Sequence, residues 1–552
     1  MARADRKAAA AESAKTGVMT HRQIMFVLFG LMAGMFLSAL DQSVVGTAMR
    51  TIADDLNGLS AQAWVTTAYL ITSTIATPIY GKLGDIFGRR YLFITAISIF
   101  IVGSVISGFA NSMYELAAFR AIQGIGAGGL FALALTILAD IVPPRERAKY
   151  QGMFLAVFGT SSVLGPLIGG LFAGIDNIFG ITGWRWIFLM NLPIGLIALF
   201  LVLSFLHIPH HEAKSKVIDW WGVLTIIIGV VPILIVAEQG REWGWTSFNS
   251  LASYTIGALG IISFILIERR MGDDALLPLS LFKSRTFSLT TLLGVVVGIG
   301  MFGGMISLPL VLQIVYGASP TESGYLMIPM VMGLMTSSIV SGRITSATGK
   351  YKIFMVVGTA LMAISYVYLA NLSADWAIWQ MTIGMVLMGL GLGQMMQTLT
   401  IASQNAVEAK DIGVATSSAT FFRQMGGTLG VAVFLSILFN NMTDRVPAIW
   451  AKIAQAQAAN PGLADLPGNR DFPQSPQELG GRLLSDSSFL NTASPELAEP
   501  IKQGFAESAG NVFVSATMVI ALGFVISLFI RELALRTKSG VQEKAEAAAA
   551  GH

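Results

Sequence analysis

Long apolar runs separated by short polar stretches make up most of this chain. About 20 apolar residues are what an α-helix needs to cross the hydrocarbon core of a bilayer. The pattern predicts fourteen such helices, numbered in chain order, at residues 24–45, 62–81, 92–110, 116–138, 151–174, 186–206, 220–237, 251–267, 288–311, 324–341, 353–370, 377–401, 413–439 and 511–530. The chain is therefore expected to be an all-α polytopic membrane protein with 14 transmembrane helices.

The composition supports this interpretation and excludes several other classes. Hydrophobic residues account for 54% of the 552 positions and charged residues for 12%, about half the charged share of soluble proteins. The absence of cysteine excludes a disulfide scaffold, a thiolate zinc site and a cysteine nucleophile. No phosphate-binding loop, nucleophile–base pair or metal-ligand cluster is recognisable. We expect no enzymatic activity, cofactor, metal ion or nucleic-acid partner.

The distribution of lysine and arginine predicts the orientation in the membrane. An even number of spans places both termini on one side. If that side is cytoplasmic, 25 of the 35 basic residues lie in cytoplasmic tails and loops and 8 lie outside, five of them in the long loop 440–510. We predict a plasma-membrane protein with both termini in the cytoplasm. Whether an extracellular partner binds the loop 440–510 stays open.

Two loop sequences indicate an internal duplication. Gly81–Arg90, after helix 2, and Gly342–Lys350, after helix 10, share the order glycine, basic residue, five residues, glycine, basic residue. Because helix 2 then corresponds to helix 10, helices 7 and 8 are an insertion between two six-helix bundles, an arrangement typical of transporters that rock about a site near the midplane. The same spacing superimposes further glycines: Gly128 on Gly389, Gly152 on Gly413, Gly165 on Gly426 and Gly169 on Gly430. The alternative is that close-packed membrane helices are simply rich in glycine.

The repeat divides the chain into five parts. The predicted parts are a cytoplasmic N-tail at 1–23, an N-terminal six-helix bundle at 24–207, two inserted linker helices with flanking loops at 208–287, a C-terminal six-helix bundle including the loop 440–510 at 288–531, and a cytoplasmic C-tail at 532–552.

Four motifs lie in order along the first five helices: Leu40–Ala48 in helix 1, Gly81–Arg90 after helix 2, Arg120–Gly129 in helix 4 and Gly165–Gly170 in helix 5. Together they resemble motifs of the major facilitator superfamily, and within it of the fourteen-span drug:proton antiporter branch. The resemblance implies the major facilitator fold, with two inserted helices, and secondary export driven by protons. The implied partners are a small amphiphilic substrate, protons and membrane lipid; no particular substrate is implied.

The loop after helix 2 is a candidate for conformational gating. Gly81 and Gly88 permit a tight hairpin. Asp85 can accept hydrogen bonds from free amides at a helix N-terminus, or pair with Arg89 or Arg90. Such contacts would close one face of the protein in one conformation and break in the other. The alternative is that the basic residues only enforce topology.

Asp41 in helix 1 and Arg120 in helix 4 are the candidates for proton coupling. Asp41 is the only carboxylate well inside a span of the N-terminal half, and a charge buried in hydrocarbon requires a partner or a cavity. Both residues are predicted to lie roughly 6 Å from the outer ends of their helices. A pair is feasible because the resemblance places helices 1 and 4 beside the cavity. A static structural pair is the alternative to a coupling role.

The helix 5 motif contributes Gly165, Pro166, Gly169 and Gly170 to the gating candidates. Proline removes a helical hydrogen bond, and glycine lets a neighbouring helix approach closely. We expect helix 5 to serve as a hinge or a proton seal, with an ordinary kink in a membrane helix as the alternative.

Arg423 is the unusual residue of the C-terminal half. It is predicted about 15 Å deep in helix 13, and no Asp or Glu occurs within the predicted helices 9 to 13. Its partner must be a carbonyl, Gln424, Gln394, Gln397, a group of the other bundle, or the substrate. These four residues and Gln123 are the substrate-binding candidates.

Three functions remain in competition. Export of amphiphilic drugs by alternating access in exchange for protons is the first. A dedicated exporter of an endogenous lipid-like or acidic metabolite is the second, favoured by Arg423 and the long outer loop. A non-transporting receptor or scaffold is the third.

Overall fold

The computed structural model describes residues 21–56, 61–206, 217–485, 488–536, 538 and 542. The predicted N-tail and C-tail therefore lie largely outside the described residues. Fourteen long helices occur in the described part: α1 His21–Asp55, α2 Gln62–Phe87, α3 Arg89–Ser107, α4 Met113–Ile141, α5 Pro144–Ala173, α6 Asn191–Phe205, α7 Trp220–Trp243, α8 Phe248–Met271, α9 Arg285–Ile314, α10 Ile328–Thr348, α11 Lys352–Leu369, α12 Ile378–Asn405, α13 Ile412–Ala459 and α14 Pro495–Phe529.

These helices confirm the predicted fold class, since each contains or largely overlaps one predicted span. Thirteen helices of the described part are long and apolar enough to cross a membrane, and α2 is the long helix not among them. Its sequence is rich in threonine, with serine and tyrosine interspersed, which lowers its apolar content. The only strands in the described residues are Asn177–Ile178 and Ile181–Thr182, which pair in the turn after α5.

Three helices extend ten or more residues beyond the apolar runs that predicted them. α1 continues to Asp55, α13 continues to Ala459, and α14 begins at Pro495. A helix satisfies its own backbone hydrogen bonds in any solvent, so polar sequence can continue it past the hydrocarbon. As a consequence, Asp41 lies near the middle of α1, and the prediction that it lies close to the helix end was wrong.

Glycines paired by the sequence repeat make equivalent helix contacts in the two halves. A Cβ atom at Gly128 of α4 would lie 2.2 Å from the backbone oxygen of Ser73 in α2. A Cβ atom at Gly389 of α12 would lie 2.0 Å from the backbone oxygen of Met330 in α10. In both halves the glycine brings two backbones into contact where no side chain fits. Two further pairs make close contacts of the same kind. Gly165 and Gly169 of α5 pack against α1, and their counterparts Gly426 and Gly430 of α13 pack against α9.

The inserted helices lie outside both bundles. An apolar face of α7, formed by Ile226, Val230 and Leu234, packs against Ile71 and Ile75 of α2 and against α13. The outermost helix, α8, packs on α7, where glycines bring the two backbones together. Most of its remaining surface is apolar and exposed, as expected for a helix that faces lipid.

Both termini of the described chain lie at one face, which we call the terminal face. At this face α1 begins beside the end of α6, where a Cβ atom at Gly30 would lie 3.1 Å from Val202. The chain after α14 runs along the same face, since Asn405 at the end of α12 donates to the backbone oxygen of Ala534. At the opposite face, the extension of α13 and the start of α14 enclose an apolar cluster within the loop 440–510, which includes Ile449, Phe472 and Leu479.

Residues 530–536 form an extended segment, the C-terminal strap, that completes the ends of two helices. Glu532 accepts hydrogen bonds from the backbone amides of Tyr351 and Lys352, at 2.8 and 3.1 Å, where α11 has no side-chain cap of its own. Arg536 donates to the backbone oxygens of Asn405 and Val407, just after α12. An acidic group at a helix start and a basic group at a helix end are both stabilising.

We predict that Glu532→Ala destabilises the C-terminal bundle, because the first amides of α11 lose their acceptor. Loss of such a cap typically costs about 1 kcal/mol, which for a protein of this size corresponds to a fall in Tm of about 2 °C. Thermal unfolding of the purified protein in detergent measures this. Arg531→Ala is the matched control, since only the backbone of Arg531 contacts the body of the protein in the strap; an equal fall in both variants would contradict the capping role.

Candidate functional site

A buried polar network centres on Asp41 in the N-terminal bundle. One carboxylate oxygen of Asp41 forms an ion pair with Arg120 of α4. The other accepts hydrogen bonds from Gln123 Nε2 at 2.9 Å and from Asn191 Nδ2 at 2.8 Å. Helices α1, α4 and α6 therefore converge on one carboxylate. The structure brings together the two residues that the sequence suggested as a pair.

Aromatic and polar groups complete the surroundings of Arg120. Its guanidinium carbon lies 4.0 Å from the centroid of the Tyr69 ring, within the range of a cation–π contact. It also donates to Gln123 Oε1 at 2.7 Å. Asp41 and Arg120 are each 1% exposed, so removal of either partner would leave an uncompensated buried charge.

Two members of this network differ from the sequence-based expectation. Gln123 was predicted as a substrate-binding candidate, but both ends of its amide are engaged by Asp41 and Arg120. Asn191 was not among the candidates. Its signal in the sequence is an amide at the start of the strongly apolar helix α6, where a polar side chain requires a partner.

A second charged cluster lies at the terminal face, where α2 ends and α3 begins. Arg89 pairs with Asp85 at 2.7 Å and with Asp140 of α4 at 2.8 Å, and donates to the backbone oxygen of Thr136 at 2.8 Å. Arg90, in contrast, donates to the backbone oxygen of Leu203 at 2.8 Å. The structure thus brings Asp85 to one of the two predicted arginines, and adds Asp140, which was not a candidate.

Asp85 also contacts the other half of the protein. A Cβ atom at Gly413, the second residue of α13, would lie 2.5 Å from both carboxylate oxygens of Asp85. The carboxylate therefore lies directly against the start of α13, where backbone amides have no partner within the helix and the helix dipole favours a negative charge. The Asp85 side chain, which lies in the last turn of α2 and not in a loop, thus contacts α3 of its own bundle and α13 of the other bundle.

A further polar bridge joins the halves beside this cluster. Arg147 of α5 donates to Gln404 Oε1 of α12, and also to the backbone oxygens of Ala139 and Val142. Gln404 Nε2 in turn donates to Thr416 Oγ1 of α13 at 2.9 Å. Neither Arg147 nor Gln404 was a candidate from the sequence.

Close packing seals the two halves together at this face. A Cβ atom at Gly81 of α2 would lie 1.9 Å from Ser417 Oγ of α13. Deeper along the same pair of helices, Thr77 Oγ1 donates to Gln424 Oε1 at 3.3 Å. The terminal face is therefore closed in this structure. Gly88, the other glycine of the motif, has a φ of 94° in the turn between α2 and α3, a conformation that favours glycine.

The helix 5 motif lies towards the opposite face, between α1 and the short helix Pro320–Leu326 that precedes α10. A Cβ atom at Gly165 would lie 2.0 Å from Ser43 Oγ of α1, and one at Gly169 would lie 2.7 Å from the backbone oxygen of Val44. On the other side, the Pro166 ring lies 3.6 Å from the Cβ position of Gly324, and Gly170 faces Thr321. The motif thus connects α1, which carries Asp41, to the C-terminal half.

The four candidates of the C-terminal half do not form one cluster. Gln394 donates to the backbone oxygen of Leu390 in its own helix, and Gln397 Oε1 accepts from Ser338 at 2.8 Å. Gln424 faces α2, as described above. The Arg423 side chain is partly exposed, and it makes no hydrogen bond or ion pair with any residue that the structure describes.

Most of the chain matches a known protein family. Residues 31–431 match the model of the Major Facilitator Superfamily. The chain belongs to this superfamily. It is 36% identical to the multidrug transporter protein MdtP of Bacillus subtilis (strain 168), over 97% of this chain and 98% of that protein. It is 33% identical to multidrug resistance protein 3 of the same organism, over 94% and 98%.

Solved structures agree with this assignment at the level of the fold. The superfamily's proton:xylose symporter XylE, bound to 6-bromo-6-deoxy-D-glucose, superimposes with a TM-score of 0.56 at 15% identity, covering 96% of this chain and 99% of that chain. As a member of the superfamily, this protein is a multi-pass membrane transporter for small molecules and not an enzyme.

Proposed function

We propose that this major facilitator protein is a proton-coupled antiporter that exports amphiphilic compounds across the plasma membrane by alternating access. The observation that carries the proposal is the carboxylate of Asp41 on α1, which is buried beside Arg120 and bonded to two further helices of the same bundle, α4 and α6. The names of the two Bacillus relatives support a drug-like cargo. The excess of lysine and arginine supports assigning the terminal face to the cytoplasm.

Proton binding at Asp41 would act on the packing of α1. A neutral Asp41 no longer balances Arg120, so the attraction that holds α1 against α4 is lost. The movement can reach α5, because Ser43 of α1 donates to the backbone oxygen of Ser161 in α5 at 3.0 Å, and Gly165 packs against Ser43. Helix α5 in turn contacts the other half through Pro166. Protonation at one residue thereby biases the relative position of the two bundles.

The charged cluster at the terminal face would hold the outward-open state. Asp85 at the start of α13 and the Arg147–Gln404 bridge connect the two bundles only while this face is closed. Opening of the cytoplasmic side requires both to break, so their free energy sets the balance between the two states.

Proton exchange in proteoliposomes tests the proposal. Liposomes with an acidic interior and an entrapped pH dye receive amphiphilic cations, neutral compounds and anions in sodium-free buffer. We expect compound-dependent alkalinisation of the interior in proteoliposomes and none in protein-free liposomes. Uptake without proton movement, or proton movement that requires sodium, would contradict proton coupling.

A dedicated exporter of a lipid-like or acidic metabolite is the second candidate function. It is favoured by the partly exposed cation at Arg423 and by the apolar cluster that described residues of the loop 440–510 form. The same set of cations, neutral compounds and anions separates the two functions, since a dedicated exporter would transport compounds of one chemical class alone.

A further inference from the structure

Arg423 is a cation deep in the membrane-spanning part of α13 that has no hydrogen-bond or ion-pair partner among the described residues. It lies eleven residues after Ile412, the start of α13, which corresponds to about 17 Å along the helix axis. This distance is too long for its side chain to reach the headgroup region of the membrane. Its side chain retains partial exposure and makes no hydrogen bond or ion pair within the described part of the chain.

The face of α13 that carries Arg423 is directed towards α12 and α9. Thr416 and Gly427 share this face at helical spacing. Thr416 receives the hydrogen bond from Gln404 of α12, and a Cβ atom at Gly427 would lie 2.4 Å from the Phe302 ring of α9. The adjacent residue, Gln424, contacts α2 of the other bundle. Arg423 therefore lies where the C-terminal bundle borders the interface between the halves.

Gln397 supplies a second donor without an acceptor at the same depth. Helices α12 and α13 run in opposite directions and touch where Gln404 meets Thr416. Gln397 and Arg423 each lie seven residues from that contact, about 10 Å deeper along their helices. Gln397 is 1% exposed, and its Nε2 atom is buried without a hydrogen-bond partner in the described part of the chain.

The membrane-spanning helices around Arg423 offer no carboxylate as its counter-charge. Helices α9 to α12 and the membrane part of α13 contain no aspartate or glutamate. The one carboxylate well inside a span of the N-terminal bundle, Asp41, is already bonded to Arg120, Gln123 and Asn191. A cation held far from the headgroup region without a counter-charge and a buried amide donor without an acceptor are both costly, so the missing partner is expected to arrive with a ligand.

We infer that Arg423, assisted by Gln397, binds an oxyanion head group of the exported amphiphile, a carboxylate or a phosphate. The inference rests on the proposed function for the statement that the ligand is exported, and on the geometry of α12 and α13 for the chemistry of the site. The planar guanidinium presents two parallel N–H donors to an oxyanion. The partly buried Met396 of α12 and Phe302 of α9 offer apolar surface nearby for the tail.

Equilibrium binding to the full-length protein in lipid nanodiscs tests this inference. The probes are octanoate, octyl phosphate and octyltrimethylammonium, which share a tail and differ in the head group. The variants are Arg423→Gln, Arg423→Lys and Gln397→Leu. Arg343→Gln is the matched control, because this arginine lies at the terminal-face end of α10, away from the site. Thermal unfolding verifies that each variant is folded.

We expect Arg423→Gln to weaken binding of at least one anionic probe about ten- to a hundredfold and to leave the cationic probe unchanged or bound more tightly. Arg423→Lys should retain part of the affinity, since the charge persists without the planar fork. Whichever anion binds more tightly identifies a carboxylate or a phosphate as the preferred head group. Equal losses for anions and cation, or no loss for either anion, would overturn the inference.

The binding experiment is independent of the proton-exchange experiment. If the protein binds anions through Arg423 but moves no protons, the coupling mechanism is wrong and the recognition site stands. If it moves protons with cations alone and binds no anion, the recognition site is wrong and the antiport mechanism stands.

Discussion

Asp41→Asn is expected to abolish proton-driven export while leaving the protein inserted in the membrane. The substitution removes the only group of the buried network that can exchange a proton and keeps nearly the same shape. Transport down a substrate gradient should persist, because it does not require a proton. We expect the component of export that depends on the pH gradient to fall at least about a hundredfold, since coupling through a single carboxylate has no substitute among the neighbouring amides.

The measurement compares substrate efflux from proteoliposomes with and without a pH gradient. Asp55→Asn is the matched control, because Asp55 lies on the same helix and binds Trp184 Nε1 at 2.8 Å, outside the network. An Asp41→Asn variant that retains the full dependence of efflux on the pH gradient would exclude a coupling role and favour a static structural pair.

Stability provides a second readout of the same pair. Asn at position 41 leaves Arg120 buried without a counter-charge, and breaking a buried pair from one side typically costs about 3–5 kcal/mol. The double variant Asp41→Asn with Arg120→Gln removes both charges and should recover much of that loss without recovering proton coupling. A static pair predicts recovery of transport together with stability.

Asp85→Asn is expected to weaken the closed state of the terminal face and to reduce export at least tenfold at normal expression. The neutral amide loses both the ion pair with Arg89 and the favourable interaction with the start of α13. The balance between the two conformations should then shift towards the state that is open at the terminal face. Efflux falls because the substrate is no longer carried to the outward-open state.

The absence of cysteine makes this shift directly measurable. Cysteines at Thr77 and Gln424 form a reporter pair, since these side chains contact each other across the two halves in the closed face and the proposed opening would separate them. We expect less cross-linking in the Asp85→Asn background than in the parent. Glu408→Gln is the control, because Glu408 pairs with Lys410 in an exposed position near the same face. Unchanged cross-linking and efflux would contradict the role of Asp85 in holding the terminal face closed.

The fold followed from the sequence because each helix must be long and apolar to cross the bilayer. The Asp41–Arg120 pair followed from the cost of a buried charge, which demands a partner on a helix of similar depth. Asp140 and Gln404 were not predicted as site residues. The length of an apolar run shows where a helix lies in the sequence, but it does not show how the helix is rotated or which helices are its neighbours. The partners of Arg89 and Arg147 depend on how α4 and α12 are oriented, which packing of the whole molecule decides.

Arg423 illustrates the opposite case. The sequence showed a cation without a carboxylate in reach, and the structure retains that imbalance instead of resolving it. The helix ends were the least predictable part, since α13 continues through polar sequence to Ala459. The bilayer requires apolar residues only in the segment that lies within the hydrocarbon core. Hydropathy therefore does not show where a helix ends once it has entered water.

The position of α7 has a consequence for the access of lipid to the interface between the two bundles. Helix α7 covers the seam between α2 and α13, the two helices that would separate in the proposed opening of the terminal face. Its contact there is made by aliphatic side chains, which can slide without breaking directional bonds. If the proposed alternating access holds, we expect α7 to keep lipid acyl chains out of the cleft that opens between α2 and α13 on this side, so that a hydrophobic cargo stays within the transport pathway.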